Sequence, residues 1–123
     1  MRKCIALIDD DSIFNFLHRE MLSRKFPEAI IHQFNSGLEW IEYLSSHPEE
    51  TFSTIYLDIR MPGMDGFEVL EAMQNMPNDA FRNSAIYVLS STLDDNDLKR
   101  SRDNPLVRDF THKPLTLEQI EKH

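Results

Sequence analysis

The 123-residue chain predicts an α/β domain in which a five-stranded parallel sheet is covered by helices on both faces. Three observations carry this. Five short β-branched or aliphatic runs alternate with longer segments of helical period, which implies crossover connections between strands. The runs are almost continuously apolar, as strands buried on both faces are. Chemistry-bearing polar residues directly follow four of the five runs. Sheets of this type bind ligands at the carboxyl ends of their strands, where strand order reverses.

The first strand is Cys4–Ile8. Residues 12–25 form a helix whose expected apolar stripe is Ile13, Leu17 and Met21 at fourfold spacing, beside Phe14 and Leu22. Asp11 or Ser12 caps its start. Ile30–Phe34 is the second strand. Ser36 and Gly37 open a helix that runs through Ser46, with Leu38, Ile41 and Leu44 on one side. The third strand, residues 54–57, leads into a Pro/Gly turn and a helix over about 66–75, with Phe67, Leu70 and Met73 in register and Asp65 as N-cap. Residues 85–89 are the clearest strand. The polar stretch 94–104 has Leu98 as its only large apolar residue. A helix there has little to bury and is expected to be short or mobile. A fifth strand near 107–111 and a last helix of barely two turns over 115–123 complete the order. No repeat, low-complexity tract or linker divides the chain, so residues 1–123 are read as one domain.

Composition narrows the function. At 41% hydrophobic and 28% charged residues, the chain can bury a core unaided. No apolar stretch approaches the roughly 20 residues that span a bilayer, and the first apolar run is too short for a secretory leader. A cytoplasmic location without membrane insertion is the expectation. The single cysteine, Cys4, sits in that run and reads as a buried, inert thiol. Twenty-one acidic against thirteen basic residues give a net charge of −8. That weighs against nucleic acid as a direct partner, because such binding needs lysine and arginine to neutralise phosphates.

The strand ends hold the chemistry. The first strand finishes in Asp9, Asp10 and Asp11, the third in Asp58, and the fourth in Ser90 and Ser91; Lys113 and Pro114 follow the fifth. Singly, each has an ordinary explanation, as a helix cap or a solvated turn. Together they bring carboxylates, a hydroxyl and an ammonium to one edge. Two unit charges about 4 Å apart repel by roughly 4 kcal/mol at an effective dielectric of about 20. Clustered carboxylates therefore need a proton or a cation among them. Hard oxygen ligands suit Mg²⁺, which takes one or two carboxylates, waters and phosphate oxygens. Such a set around one carboxylate suits in-line phosphoryl transfer to it.

Residues 7–11 (Leu-Ile-Asp-Asp-Asp), 56–66 (Tyr-Leu-Asp-Ile-Arg-Met-Pro-Gly-Met-Asp-Gly) and 111–114 (Thr-His-Lys-Pro) resemble the three signature blocks of response-regulator receiver domains. The match spans nearly the whole chain. The resemblance implies a doubly wound, flavodoxin-like fold with strand order 2-1-3-4-5. It implies Asp58 as phosphoacceptor, with Asp10 and Asp58 binding Mg²⁺ by side chain, Arg60 by its backbone carbonyl and Asp9 mostly through water. It makes Ser90 the donor to a phosphoryl oxygen and Lys113 the cation paired with the phosphoryl group. Phe110 falls at the aromatic switch position. Arg60 and Thr92 stand at two variable positions that tune hydrolysis, and a cis peptide is expected between Lys113 and Pro114. The implied donor is a histidine kinase or histidine phosphotransfer protein. The implied output is a downstream protein bound at the face of the fourth helix, fifth strand and fifth helix. Such a chain is a signalling phosphoacceptor rather than an enzyme.

Some residues depart from that pattern or read two ways. Phe110 has no hydroxyl, so a switch there works by ring packing, and an ordinary strand-end aromatic is the alternative. Gly63 and Gly66, two of three glycines, fit a tight turn beside Asp58. Trp40, Tyr43, Met61, Met64, Met73 and Met76 read as core or rim packing, and His112 as a strand-end residue. The five histidines share no metal-ligand spacing. The chain can also be a receiver cut from a longer regulator or hybrid kinase, acting as a relay intermediate. An aspartyl-phosphate phosphatase would need an acid two positions after its nucleophile, where Arg60 stands. A flavin carrier on this fold would meet repulsion between its phosphate and Asp9 to Asp11.

Overall fold

A computed structural model describes residues 3–77, 81–92 and 94–122. The elements run β1 (Cys4–Ile8), α1 (Ser12–Lys25), β2 (Ile30–Phe34), α2 (Gly37–Ser46), β3 (Thr54–Asp58), α3 (Gly66–Gln74), β4 (Ala85–Ser90), α4 (Asp95–Asp103), β5 (Val107–His112) and α5 (Leu117–Lys122). The strands form one parallel sheet in the order β2-β1-β3-β4-β5, the flavodoxin-like arrangement that the resemblance implies. Among the described residues no helix is long and apolar enough to cross a membrane.

The pleat sends alternate residues to opposite layers. Ala6 and Ile8 of β1 join Ile55, Leu57, Ile86 and Val88 under α2 and α3, where Trp40, Leu44, Val69, Leu70 and Met73 complete the larger core. Ile5 and Leu7 face the other way, with Tyr56, Tyr87 and Leu89 against Leu22 of α1 and Ile120 of α5. β3 is buried along its whole length, so Ile55, Tyr56 and Leu57 present large hydrophobic side chains to both faces before Asp58 ends the strand.

The helices keep the expected period but not always the expected phase. Of the expected Ile13–Leu17–Met21 stripe in α1, only Met21 packs against the core. Ile13 is 67% exposed and Leu17 46%, while Asn15, His18 and Leu22 face inward. In α2 the member of the expected stripe left exposed is Leu38, and Trp40 and Leu44 fill the core. α3 follows its prediction: Asp65 accepts from the Glu68 N–H at 2.9 Å in a capping box, and Leu70 and Met73 are buried. α4 has nine residues, as many as α3, with Asp97 and Ser101 as its buried residues, and Leu98 is only partly covered. β3, β4 and β5 each run one residue beyond their expected ends, taking in Asp58, Ser90 and His112. α5 is six residues long and starts at Leu117 rather than Leu115.

Candidate functional site

Three parallel strands deliver their last residues to one edge. Ile8 pairs with Leu57, and Asp58 with Leu89, so Asp9, Asp58 and Ser90 emerge side by side. The Lys113 N–H donates to the Ser90 carbonyl at 2.8 Å, which extends the β4–β5 ladder and aims the lysine inward. The Lys113–Pro114 peptide is cis, as the resemblance implies.

The side chains converge. Lys113 Nζ lies 2.9 Å from Asp9 Oδ2 and 3.4 Å from Asp58 Oδ2. Asp9, Asp58 and Lys113 are buried at 2%, 1% and 6% exposure. One oxygen from each of Asp9, Asp10 and Asp58 lies within 4.8 Å of the others, and Asp10 is exposed. Asp9 Oδ1 accepts from the Asp11 N–H at 2.9 Å, and Asp58 Oδ1 from the Arg60 N–H at 3.1 Å. Burial above all, then the Asp9 carboxylate, pushes the Asp58 carboxyl up to about 7, against the lowering pull of Lys113 and the Arg60 N–H. Three carboxylates and one ammonium leave an excess of negative charge that a divalent ion would cancel. The set is all-oxygen, and exposed Asp10 leaves an open side for water, so the residues fit Mg²⁺.

Ser90 is fully buried, and its Oγ accepts from the Thr92 N–H at 3.1 Å. Phe110 is half-buried, packs against the larger core, and lines a groove of about 310 Å³ with Leu98, Ser101, Arg102 and Val107. The Arg60 side chain leaves the pocket for α4, where it pairs with Asp97 and stands 3.8 Å from Asp94 Oδ2.

The loop after Asp58 is shaped by glycine. Gly63 has φ +81°, the left-handed region. A Cβ on Gly66 would lie 2.6 Å from Ile59 Cα and 2.8 Å from the Asp58 carbonyl, so α3 starts in contact with the backbone that carries the Asp58 carboxylate.

The sequence profile of the response regulator receiver domain matches residues 5–123. The chain belongs to that family. The receiver is similar to a two-component response regulator from Cytophaga hutchinsonii, at 28% identity and a TM-score of 0.90 over 98% of this chain and 92% of that one. A response regulator receiver protein from Dyadobacter fermentans DSM 18053 is 25% identical, with a TM-score of 0.85 over 98% and 93% of the two chains. Among curated proteins, the probable methanogenesis regulatory protein FilR2 of Methanothrix harundinacea is 28% identical over 96% of this chain and 76% of its own length. The transcriptional regulatory protein CrdR of Helicobacter pylori is 29% identical over 98% of this chain, which spans only 53% of CrdR.

Three residues support the receiver's pocket in roles that the sequence reading did not assign to them. Asn15 Nδ2 donates to the Asp9 carbonyl at 3.0 Å and reaches the Phe34 carbonyl at 3.3 Å. His18 Nε2 accepts from the Leu115 N–H at 3.1 Å, just after the cis bond. The Phe14 ring lies 4.3 Å from Lys113 Nζ, a cation–π contact. The inner face of α1 thus braces both the Asp9 loop and the Lys113 loop. The available signal was the 15–18–22 spacing, hidden because two of its three members are polar.

Proposed function

We propose that this receiver accepts a phosphoryl group on Asp58 from a phosphohistidine of a histidine kinase or histidine phosphotransfer protein, and that the event alters binding of a downstream protein at the α4–β5–α5 face. The observation that carries this is the Lys113 ammonium seated 2.9 Å from Asp9 and 3.4 Å from Asp58 in a pocket of three carboxylates. A carboxylate oxygen of Asp58 forms the new bond to phosphorus. The bond from phosphorus to the donor imidazole nitrogen breaks, and the nitrogen keeps its electron pair. Asp9, Asp10, Asp58 and the Arg60 backbone carbonyl are the proposed holders of Mg²⁺, which when bound supplies neutralisation of the phosphoryl oxygens. Lys113 pairs with one phosphoryl oxygen, and the Ser90 hydroxyl donates to another. Phe110 follows by ring packing, since it has no hydroxyl to offer.

The partner-reading face would include the α4–β5 groove that Phe110 lines. A cytoplasmic location goes with this role, and neither nucleic-acid contact nor membrane insertion is part of it. Phosphatase activity on an outside substrate is disfavoured: the position two after Asp58 is Arg60, engaged with Asp97. A second reading, a receiver working within a longer regulator or as a relay intermediate, is favoured by the 53% coverage of CrdR.

Beryllofluoride with Mg²⁺, a mimic of the phosphoryl group, tests the switch by NMR. Amide shifts are expected at Ser90, Thr92, Phe110 and Lys113 in the wild type and none of them in Asp58→Asn. Shifts confined to Asp9–Asp11 would mean metal binding without a switch and would overturn the reading.

A further inference from the structure

At the opposite end of the sheet from Asp58, three side chains of different chemistry meet. One ligand atom from each of Cys4, His32 and Glu50 lies within 4.8 Å of the others. Cys4 opens β1 and pairs with Ile30 of the edge strand β2, so His32, two residues on, is its diagonal neighbour on the same sheet face. Glu50 comes from the loop between α2 and β3. His32 Nε2 stands 3.2 Å from Glu50 Oε1. We propose that Cys4, His32 and Glu50 form a binding site for a divalent transition-metal ion, Zn²⁺ foremost, separate from the carboxylate pocket and completed by a water ligand.

The donor set supports this choice of ion. A thiolate, a neutral imidazole and a carboxylate are the three ligand types Zn²⁺ takes, and together their charge of minus two matches it. Mg²⁺ prefers oxygen alone. The ligands are pre-positioned. The His32 ring is wedged among Phe34, Tyr43 and Phe52, with centroids 6.4, 5.5 and 5.6 Å away. The Tyr43 hydroxyl donates to Glu50 Oε2 and leaves Oε1 turned to His32, the outer-shell support typical of metal carboxylates. Edges of a tetrahedral Zn²⁺ site with ordinary bond lengths are roughly 3.4 Å. The His32–Glu50 edge is already that short at 3.2 Å, and the Cys4 sulfur lies within 4.8 Å of both partners. The side chains of His32 and Glu50 are 29% and 27% exposed, which leaves a path for the ion and its water. Burial and then the Glu50 carboxylate raise the Cys4 thiol above its ordinary value; a cation among the three offsets the second cause and releases the proton.

The test is a Co²⁺ titration of the whole chain with Mg²⁺ present in excess to fill the carboxylate pocket. Cys4 is the only cysteine, so a thiolate-to-Co²⁺ charge-transfer band can arise from no other residue. One equivalent of Co²⁺ is expected to saturate the band and Zn²⁺ to abolish it. Asp58→Asn should leave it intact, His32→Gln should remove it, and Tyr43→Phe should weaken the affinity about tenfold. Three results overturn the proposal: no band in the wild type, a band indifferent to His32→Gln and Glu50→Gln, or one that needs two chains per cobalt. The wild-type titration stands even where a variant fails to fold.

Discussion

Lys113 holds its ammonium nearer to Asp9, at 2.9 Å, than to Asp58, at 3.4 Å, so the cation that would meet an incoming phosphoryl group already sits in the pocket. Both carboxylates are buried and need it. Replacing Lys113 by methionine keeps the length of the stem but strands the acids. Loss of one partner from a buried ionic cluster costs about 3 kcal/mol. Urea denaturation without divalent ions should show that loss in Lys113→Met, and saturating Mg²⁺ should recover much of it. Equal stability of the two proteins without Mg²⁺ would contradict the pairing.

The raised Asp58 carboxyl makes a pH prediction with a definite sign. Its ordinary value is 3.8, and burial with Asp9 pushes it up to about 7. Between those values the folded protein keeps a proton that the unfolded chain has released. Stability from this group is therefore present below pH ~4, falls as pH rises, and is gone above ~7, with a slope of up to about 1.4 kcal/mol per pH unit. His18 acts in the opposite sense. Burial lowers it from 6.5 to about 4, so its contribution is lost as pH falls through that window. The stability difference between wild type and Asp58→Asn isolates the first slope. In Mg²⁺-free buffer the wild-type advantage should shrink from pH ~4 to ~7, and a flat difference would argue against a raised Asp58.

Gly66 and Gly63 should respond differently to alanine. At Gly66 the new methyl meets backbone at 2.6 and 2.8 Å, which cannot step aside without moving Asp58. Gly66→Ala should cost about 2–3 kcal/mol and impair phosphorylation as well. At Gly63 nothing lies within 4 Å of the added Cβ, and only the φ of +81° resists. Gly63→Ala should cost about 1 kcal/mol, with phosphorylation kept. Thermal melts and phosphorylation assays on both variants check the order.

α4 buries Asp97 and Ser101 rather than an apolar stripe, and Asp97 is held by Arg60 from the loop after Asp58. Few apolar contacts mean low local stability. Amide hydrogen exchange in residues 95–103 should be about tenfold faster than in residues 66–74, and Arg60→Gln should speed α4 further. Exchange as slow in α4 as in α3 would oppose this.

Much of the fold was legible because strand runs and their polar ends are local signals. A parallel sheet brings residues 9, 58, 90 and 113 to one edge whatever their separation in the chain. Phase was harder than period. In α1 hydropathy favours Ile13 and Leu17, yet the inward positions go to Asn15 and His18 because two loop backbones need partners there. In α2 the larger Trp40 takes the core and Leu38 is left out. The Cys4–His32–Glu50 cluster followed no motif spacing, since only the β1–β2 register and the α2–β3 loop bring it together.

The central claim is that Asp58 is the phosphoacceptor, and intact-mass spectrometry after incubation with acetyl phosphate and Mg²⁺ tests it most directly. The account predicts a mass gain of one phosphoryl group in the wild type, none after chelation of Mg²⁺, and none in Asp58→Asn. An unmodified wild type under these conditions, or an equal gain in Asp58→Asn, would contradict it.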